Sequence, residues 1–319
     1  MYNLGFDIGG TKCAVILGND VQSADVSDMI ADKRTFPTAT ERGWRAVVDE
    51  LLAAGDALLK KNGLTTADVK AAGISCGGPL DSKNGLILCP PNLPDWDGVP
   101  ITKLIGEHFG CPAVVQNDAN ACAVAEWKFG AGKGLKNMIF LTCGTGMGAG
   151  LILNGKLYCG TNDMAGEVGH IRLAEDGPVG YGKPGSFEGF CSGGGIKRLG
   201  ERMAAQWKAE GRESALFSEP HLSAKTIAIA AKNGDALAKE IYNESARRMG
   251  QALALLIDIL NPEAIVIGSI YTRDAALFDG IMTEVIKKEA LSHAIDVCRI
   301  LPAKLTENIG DIAALGLVM

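Results

Sequence analysis

Asn117 and Asp118 stand where an apolar run, PAVVQ (112–116), gives way to the helical pattern DANACAVAEWKFG (118–130). An amide and a carboxylate at such a junction satisfy the free amides of a helix start. The same carboxylate is also suited to take a proton from a bound hydroxyl. A sugar hydroxyl is a weak nucleophile; a carboxylate within hydrogen-bond reach orients it and accepts its proton as a phosphoryl group arrives. Asn117 beside it both donates and accepts, as a polyol requires. Capping alone is the simpler account of the pair. The two accounts are compatible, because a cap also fixes the carboxylate in place.

Two glycine-rich stretches supply a partner for that chemistry. In FDIGGTKCAVILGN, Asp7 ends a strand, Gly9 and Gly10 let the backbone turn close to an anion, Thr11 adds a hydroxyl and Lys12 a cation. In LTCGTGMGAGLILNG, Gly144, Thr145 and Gly146 form the second turn, with the Thr145 hydroxyl and the Gly146 amide as the best phosphate donors. Each turn also reads as a plain tight hairpin. A negative Asp7 beside phosphate is out of place unless a hard cation such as Mg²⁺ stands nearby; Asp7 serves equally as a turn-capping carboxylate. Neither turn leads directly into a helix, which disfavours a dinucleotide loop and a Walker P-loop. Two such hairpins predict a nucleotide clamped between duplicated halves. A third group, Glu167 and His170 in MAGEVGHIRL, Glu188 in PGSFEGFCSG and Asn92 in a proline-rich loop, makes a hydroxyl-reading set. Taken singly, each of these four reads as structural.

The elements around these residues follow an α/β grammar. LGFDIGG, CAVILGND and part of DMIADKRTFPT predict three strands. WRAVVDELLAAGDALLKKNG has apolar residues at helical spacing and stops at Gly63. VKAAGISCGGPL reads as a strand entering a glycine turn. PPNLPDWDGVP is too polar and too punctuated for regular structure. ITKLIGEHFG predicts a helix before PAVVQ. The second half repeats the order: strand, glycine turn and strand in NMIFLTCGTGMGAGLILNGK, long helical stretches at 194–210 and 221–260, a strand in AIVIGSI ending at Gly268, a helix near 275–290, a last strand in RILPAKL and a closing helix in GDIAALGLV.

The 319 residues are enough for two domains with separate cores. The net charge of −6, with no Lys/Arg-rich run, gives no nucleic-acid footprint. The first strand begins at Asn3, which predicts neither a signal peptide nor an appended DNA-binding domain. No uncharged apolar run reaches the ~18 residues needed to span a bilayer; ALALLIDIL (252–260) is short and holds Asp258. The nine cysteines are scattered, many in apolar or glycine-rich settings, as reduced thiols of a cytoplasmic protein are. No tight Cys/His metal spacing is present.

DIGGTK, NDANACAVAEWKFGAG, CGTGMGAGLILNGKLYCGTNDMAGEVGH and GYGKPGSFEGFCSGGG, in this order, resemble the ROK family, which contains bacterial sugar kinases, glucokinases prominent among them, and sugar-responsive repressors. The resemblance runs from near residue 3 to GDIAALG. It implies an actin-like ATPase (ribonuclease H-like), duplicated two-domain fold: a small domain over 1–121, a large one over 122–307, and the closing helix near 308–319 packing back on the first. It implies ATP and Mg²⁺ as cofactors. Phosphate-loop roles fall on Asp7, Gly9, Gly10, Thr11 and Lys12 and on Gly144, Thr145 and Gly146, with Asp7 touching Mg²⁺ indirectly through water. The base falls on Asp118. Sugar contacts fall on Asn92, Asn117, Glu167, His170 and Glu188, with Gly78 lining the pocket by its backbone and Gly268 bordering the nucleoside. A homodimer is the expected assembly.

One departure matters. Many family members carry Cys-x-Cys-Gly-x-x-Gly-Cys-x-Glu, a zinc pattern completed by the histidine of the preceding motif. Here Val179, Tyr181 and Ser186 replace the three cysteines, so no structural zinc is expected, and packing around Tyr181 and Phe187 must do its work. Cys191 reads as core. The leading account is an ATP-dependent kinase acting on the C6 hydroxyl of a hexose, glucose first. A second changes only the sugar: fructose, mannose, allose, N-acetylglucosamine or N-acetylmannosamine. A different class is a non-catalytic sugar sensor; another is a chaperone-like or filament-forming ATPase indifferent to sugars.

Overall fold

The computed structural model describes residues 1–19 and 26–319. Asp20, the last residue of the CAVILGND run, lies outside them. Three strands open the chain: β1 (Tyr2–Ile8), β2 (Lys12–Asn19) and β3 (Ile30–Pro37). Helix α1 (Gly43–Lys61), β4 (Val69–Cys76), the short strands β5 (Leu80–Asp81), β6 (Leu86–Leu88) and β7 (Asp97–Val99), α2 (Ile101–Phe109), β8 (Ala113–Asn117) and α3 (Asp118–Phe129) follow. Then come β9 (Met138–Cys143), β10 (Met147–Leu153), β11 (Lys156–Tyr158), β12 (Val179–Gly180), β13 (Lys183–Pro184), α4 (Phe187–Cys191), α5 (Gly193–Ala209), α6 (Ala224–Lys232) and α7 (Ala236–Leu260). The chain ends with β14 (Ala264–Ile267), α8 (Ile270–Asp274), α9 (Asp279–Glu289), α10 (Ser292–Ile295), β15 (Arg299–Pro302) and α11 (Ile309–Gly316).

These elements form two compact units. One holds Met1–Gly134, Leu157–Ala165 and Leu305–Met319; the other holds Leu135–Lys156 and Gly166–Lys304. The first unit's main sheet runs β3-β2-β1-β4-β8 and the second sheet β11-β10-β9-β14-β15. The pairing senses match. β1–β2 and β9–β10 are antiparallel hairpins, and β1–β4–β8 and β9–β14–β15 are parallel. One strand order used twice is the duplicated ribonuclease H-like pattern.

In the first unit both sheet faces are covered. Phe6, Val15, Leu17 and Ile74 are buried in one cluster with Val47, Val48, Leu51 and Leu58 of α1 and Ile105 and Phe109 of α2. On the opposite face, Gly5, Gly18 and Gly73 make room for α11. A Cβ on Gly73 would lie 2.0 Å from the Ala314 carbonyl oxygen, and one on Gly18 would lie 2.6 Å from Leu315 Cδ2. These glycines sit inside strands because the helix backbone comes that close. Helix α11 packs in turn against α3, where Met29, Ala121, Ala125, Leu305, Ile312 and Ala313 are buried together.

Two expectations change. The proline-rich loop is not wholly irregular: β7 pairs with β6 in a three-stranded sheet with β5, and Leu93 and Trp96 are fully buried beneath it. The apolar side chains inside the polar punctuation anchor the segment. The stretch 221–260 is two helices, not one. Gly234 takes φ +99°, and the Asp235 side chain then accepts the Ala238 amide at 2.8 Å to start α7. No described helix is long and apolar enough to cross a membrane.

Gly73→Ala tests the close seat of α11. The added methyl must displace backbone, so unfolding free energy is expected to fall by about 3 kcal/mol. A urea midpoint equal to the parent's would show that α11 sits less closely than described.

Candidate functional site

The first unit gathers its polar residues at the carboxyl ends of β1, β4 and β8. Asp7 is the penultimate residue of β1, and the turn Gly9–Gly10–Thr11 joins it to β2. The turn is held by the Gly9 amide on the Lys12 carbonyl (3.1 Å), by the Thr38 hydroxyl on the Gly9 carbonyl (2.5 Å) and by the Thr38 amide on the Thr11 carbonyl (3.0 Å). Thr38 is fully buried. It clasps the turn from outside the motif, and nothing in the local sequence marks it. Thr11 and Lys12 project to solvent.

Glycine also brings the amide side chains together. A Cβ on Gly10 would lie 2.5 Å from the Asn92 carbonyl oxygen; one on Gly77 would lie 3.3 Å from Asn92 Oδ1; one on Gly78 would lie 2.8 Å from Asn117 Nδ2. The proline-rich loop therefore rests against the first glycine turn, and Gly78, Asn92 and Asn117 share one polar patch. The Gly78–Pro79 peptide is cis.

Asn117 is the N-cap of α3, its Oδ1 accepting the Ala119 amide at 3.0 Å. Asp118 Oδ1 accepts the same amide at 2.7 Å. One carboxylate oxygen is thus tied down and the other is open. Asp118 is exposed to solvent, though protein atoms crowd round it. That surrounding burial pushes its pKa up, against the Ala119 and Asp118 amides, which pull it down. Solvent access tempers the rise but leaves its direction. Asp7 is pushed up to about 6, first by burial, then by the Asp311 and Asp118 carboxylates, with Lys12 and Lys33 opposing. Lys33 is committed elsewhere: its Nζ binds both Asp311 oxygens at 2.6 and 2.7 Å. With Lys33 held by Asp311, Asp7 has no ion pair among the described residues, so a divalent cation reached through water fits this donor chemistry.

The second unit presents the other turn. Gly144, Thr145 and Gly146 link β9 to β10, with Thr145 and Gly146 exposed. The first amides of α5 hold the turn, Gly193 donating to the Gly144 carbonyl (2.7 Å) and Gly194 to the Thr145 carbonyl (3.2 Å). Glu188, on α4, accepts the Met147 amide at 3.1 Å through Oε2. Glu167 is the N-cap of the 3₁₀ turn Val168–His170, so Glu167 and His170 lie one short turn apart, both exposed. The carboxylate of Glu188 is held by Met147, not by His170. Beside the turn lies a cavity of ≈ 850 Å³ whose lining includes Gly144, Thr145, Lys225, Ser269, Ile270 and Arg273. Gly268 is buried just behind Ser269. Ser269 itself, at φ +53° and ψ −109°, holds a conformation that favours glycine. Neither Ser269 nor the cations at 225 and 273 carry a motif that marks them in advance.

The segment 179–188 does not fit zinc. Val179 and Tyr181 are 46% and 70% exposed, and no thiolate replaces them. Among the described residues no group of three or more His, Cys, Asp or Glu is arranged to hold a metal. Tyr181 does not pack the segment as expected; it only meets His170 edge-on, ring centroids 6.1 Å apart. The work is done by Ser186, fully buried, which accepts the Gly189 amide (3.1 Å) and donates to the Gly180 carbonyl (3.3 Å). Arg172 reaches the Pro184 carbonyl (2.7 Å), and Lys183 the His170 carbonyl (2.8 Å). Phe187 is buried as expected. Cys191 is core, its thiol on the Ser245 carbonyl.

With this geometry in hand, comparison with known proteins is specific. The ROK family model matches residues 3–319. A glucokinase of Halalkalibacterium halodurans is 34% identical over 271 residues, 83% of this chain and 79% of its own. A glucokinase of Thermotoga maritima is 28% identical over 316 residues, 99% and 96% of the two chains. The crystal structure of a ROK family glucokinase from Streptomyces griseus, in complex with glucose and AMPPNP, is 30% identical, covers 99% of each chain and superposes with a TM-score of 0.76.

Two outcomes test the site's electrostatics and the account of the segment 179–188. A carboxyl whose folded pKa is raised adds stability that is present below the unfolded value and lost as pH rises through the folded one. With Asp7 at about 6, Asp7→Asn in EDTA is expected to raise unfolding free energy at pH 7.5 by roughly 2 kcal/mol, with the gain shrinking toward pH 5. No gain at pH 7.5 would mean that Asp7 is not crowded. Ser186→Ala is expected to cost about 1–2 kcal/mol, while a zinc chelator leaves the parent's melting temperature in place; a fall on chelation would reverse the account of 179–188.

Proposed function

The chain belongs to the ROK family, and from that premise we propose that it is an ATP-dependent sugar kinase that phosphorylates a hexose at the C6 hydroxyl, with glucose as its main substrate. The observation that carries the proposal is the Asp118 carboxylate at the start of α3, one oxygen anchored on the Ala119 amide and one open, beside the Asn117 and Asn92 amides.

In this reading the open oxygen of Asp118 accepts the C6 hydroxyl proton as the C6 oxygen of the sugar bonds to the γ-phosphorus. The bond from the γ-phosphorus to its bridging oxygen breaks, and ADP leaves. Asn92 and Asn117 orient sugar hydroxyls in the first unit, with the Gly78 backbone beside them; Glu167, His170 and Glu188 read the remaining hydroxyls from the second. The turn at Gly9, Gly10, Thr11 and Lys12, and the turn at Gly144, Thr145 and Gly146, supply amides, hydroxyls and one cation to the phosphates. The cavity next to Ser269 takes the nucleoside, with Gly268 at its border. Mg²⁺, when bound, neutralises charge on the β- and γ-phosphates, and Asp7 would hold it through water. No structural zinc takes part. A homodimer in the cytoplasm is the expected form, and the nine cysteines, all free, are compatible with it.

ADP release measured over a panel of hexoses and N-acetylhexosamines tests the proposal. Turnover on glucose with ATP supports it. Turnover confined to an N-acetyl sugar moves the substrate, and sugar binding without turnover makes the protein a sensor. Asp118→Ala is expected to lower kcat by at least about 100-fold. Asp118→Asn is expected to do the same without loss of stability, because Asn117 still caps α3. Near-normal turnover in D118N would leave Asp118 as a cap only. Because the Asp118 pKa is raised, the acid limb of kcat is expected above the ordinary aspartate value of about 3.9, activity falling as pH drops through it.

A further inference from the structure

Glu188 does more than face a sugar. It is the second residue of α4, half-buried, and its Oε2 is occupied by the amide of Met147, the residue that follows the turn Gly144–Thr145–Gly146. A Cβ on Gly146 would lie 3.1 Å from that same oxygen, so the turn approaches the carboxylate as closely as a glycine allows. The run from 186 to 195 grips the turn at further points. The Cys143 thiol donates to the Cys191 carbonyl (3.3 Å), and the Gly193 and Gly194 amides donate to the Gly144 and Thr145 carbonyls.

The run is stiff. Ser186 caps α4 and Ser192 caps α5, the latter through the Gly195 amide at 2.9 Å, and both serines are fully buried. The Ser192 amide donates back to the Glu188 carbonyl at 3.1 Å. Within this grip Glu188 is the one carboxylate side chain. One oxygen is committed to the turn, which leaves Oε1 for a ligand hydroxyl.

We infer that Glu188 is a positioning residue for the phosphate-binding turn, and that it couples sugar occupancy to the affinity for the phosphoryl donor. The inference rests on the kinase reading above and extends it. A hydroxyl on Oε1 fixes the carboxylate, the carboxylate fixes the Met147 amide, and the turn is then set before the donor arrives. Couplings carried in this way commonly change affinity by about 5- to 150-fold.

The test measures AMP-PNP binding with Mg²⁺ by calorimetry, with and without glucose, in the parent, Glu188→Gln and Glu188→Ala. The parent is expected to bind AMP-PNP about tenfold tighter with glucose present. In E188Q the side-chain carbonyl still accepts the Met147 amide, so donor affinity without sugar stays within about twofold while glucose affinity falls. E188A is expected to lose about five- to tenfold in donor affinity even without sugar, and to lose the coupling. Exchange of the Met147 amide with solvent reads the anchor directly: slow in the parent and in E188Q, fast in E188A. Unchanged donor affinity and slow Met147 exchange in E188A would overturn the inference alone. A parent that binds no nucleotide would overturn the kinase reading and the coupling with it. If E188A does not fold, E188Q decides, since a tenfold loss of sugar-free donor affinity in that variant contradicts the shared anchor.

Discussion

The amide of Ala119 holds two side chains at once, Asn117 at 3.0 Å and Asp118 at 2.7 Å. That shared hydrogen bond fixes where α3 begins and where Asp118 stands. Position alone would not suffice if the helix could shift, and α3 is locked along its length. Glu126, fully buried, accepts the Ala131 and Leu305 amides, each at 2.7 Å. Lys128 reaches the carbonyls of Gly316 and Met319 at 2.9 and 2.7 Å. The helix that carries Asp118 is thus tied to α11, which itself fits only because β1, β2 and β4 carry glycine where it crosses them. Capping and the proposed chemistry are compatible here: the cap consumes one oxygen of Asp118, and the proposal assigns the proton to the other.

The cost of that arrangement is electrostatic. Asp7, Asp118 and Asp311 are brought near enough to one another to raise the pKa of Asp7, and Lys33, paired with Asp311, leaves Asp7 with no ion pair among the described residues. Such crowding is tolerated where a cation or a proton is to be handled. The N-terminus of α3 eases it, because the helix dipole favours negative charge there.

Much of this was legible in the sequence. Both glycine turns announce themselves because hairpin geometry and anion approach demand glycine locally, and Asn117–Asp118 is a helix start in any context. Long-range contacts were not legible. Thr38 clasps a turn at residues 9–11 from the far end of β3, and no spacing rule links them. Ser186 and Ser192 look like ordinary loop serines until their burial is known. The break at Gly234 was hidden inside a stretch whose apolar periodicity continues on both sides. Trp96 was masked by the prolines around it. Tyr181 misled for the opposite reason: an aromatic in place of a metal ligand invites a packing role, yet it faces solvent while a serine hydroxyl holds the segment.

The segment 179–195 is held by hydrogen bonds, with Val179, Tyr181 and Ser186 where a zinc pattern would need thiolates. Two buried hydroxyl caps start α4 and α5, and two cation-to-carbonyl contacts tie down the segment before them. Everything nevertheless depends on residue 118. The most direct measurement is a structure of the ternary complex with glucose and a non-hydrolysable ATP analogue. The account predicts the free Asp118 oxygen within hydrogen-bond reach of the C6 hydroxyl, about 2.6–3.2 Å. A closed ternary complex in which both Asp118 oxygens face protein and the C6 hydroxyl meets another group would contradict it.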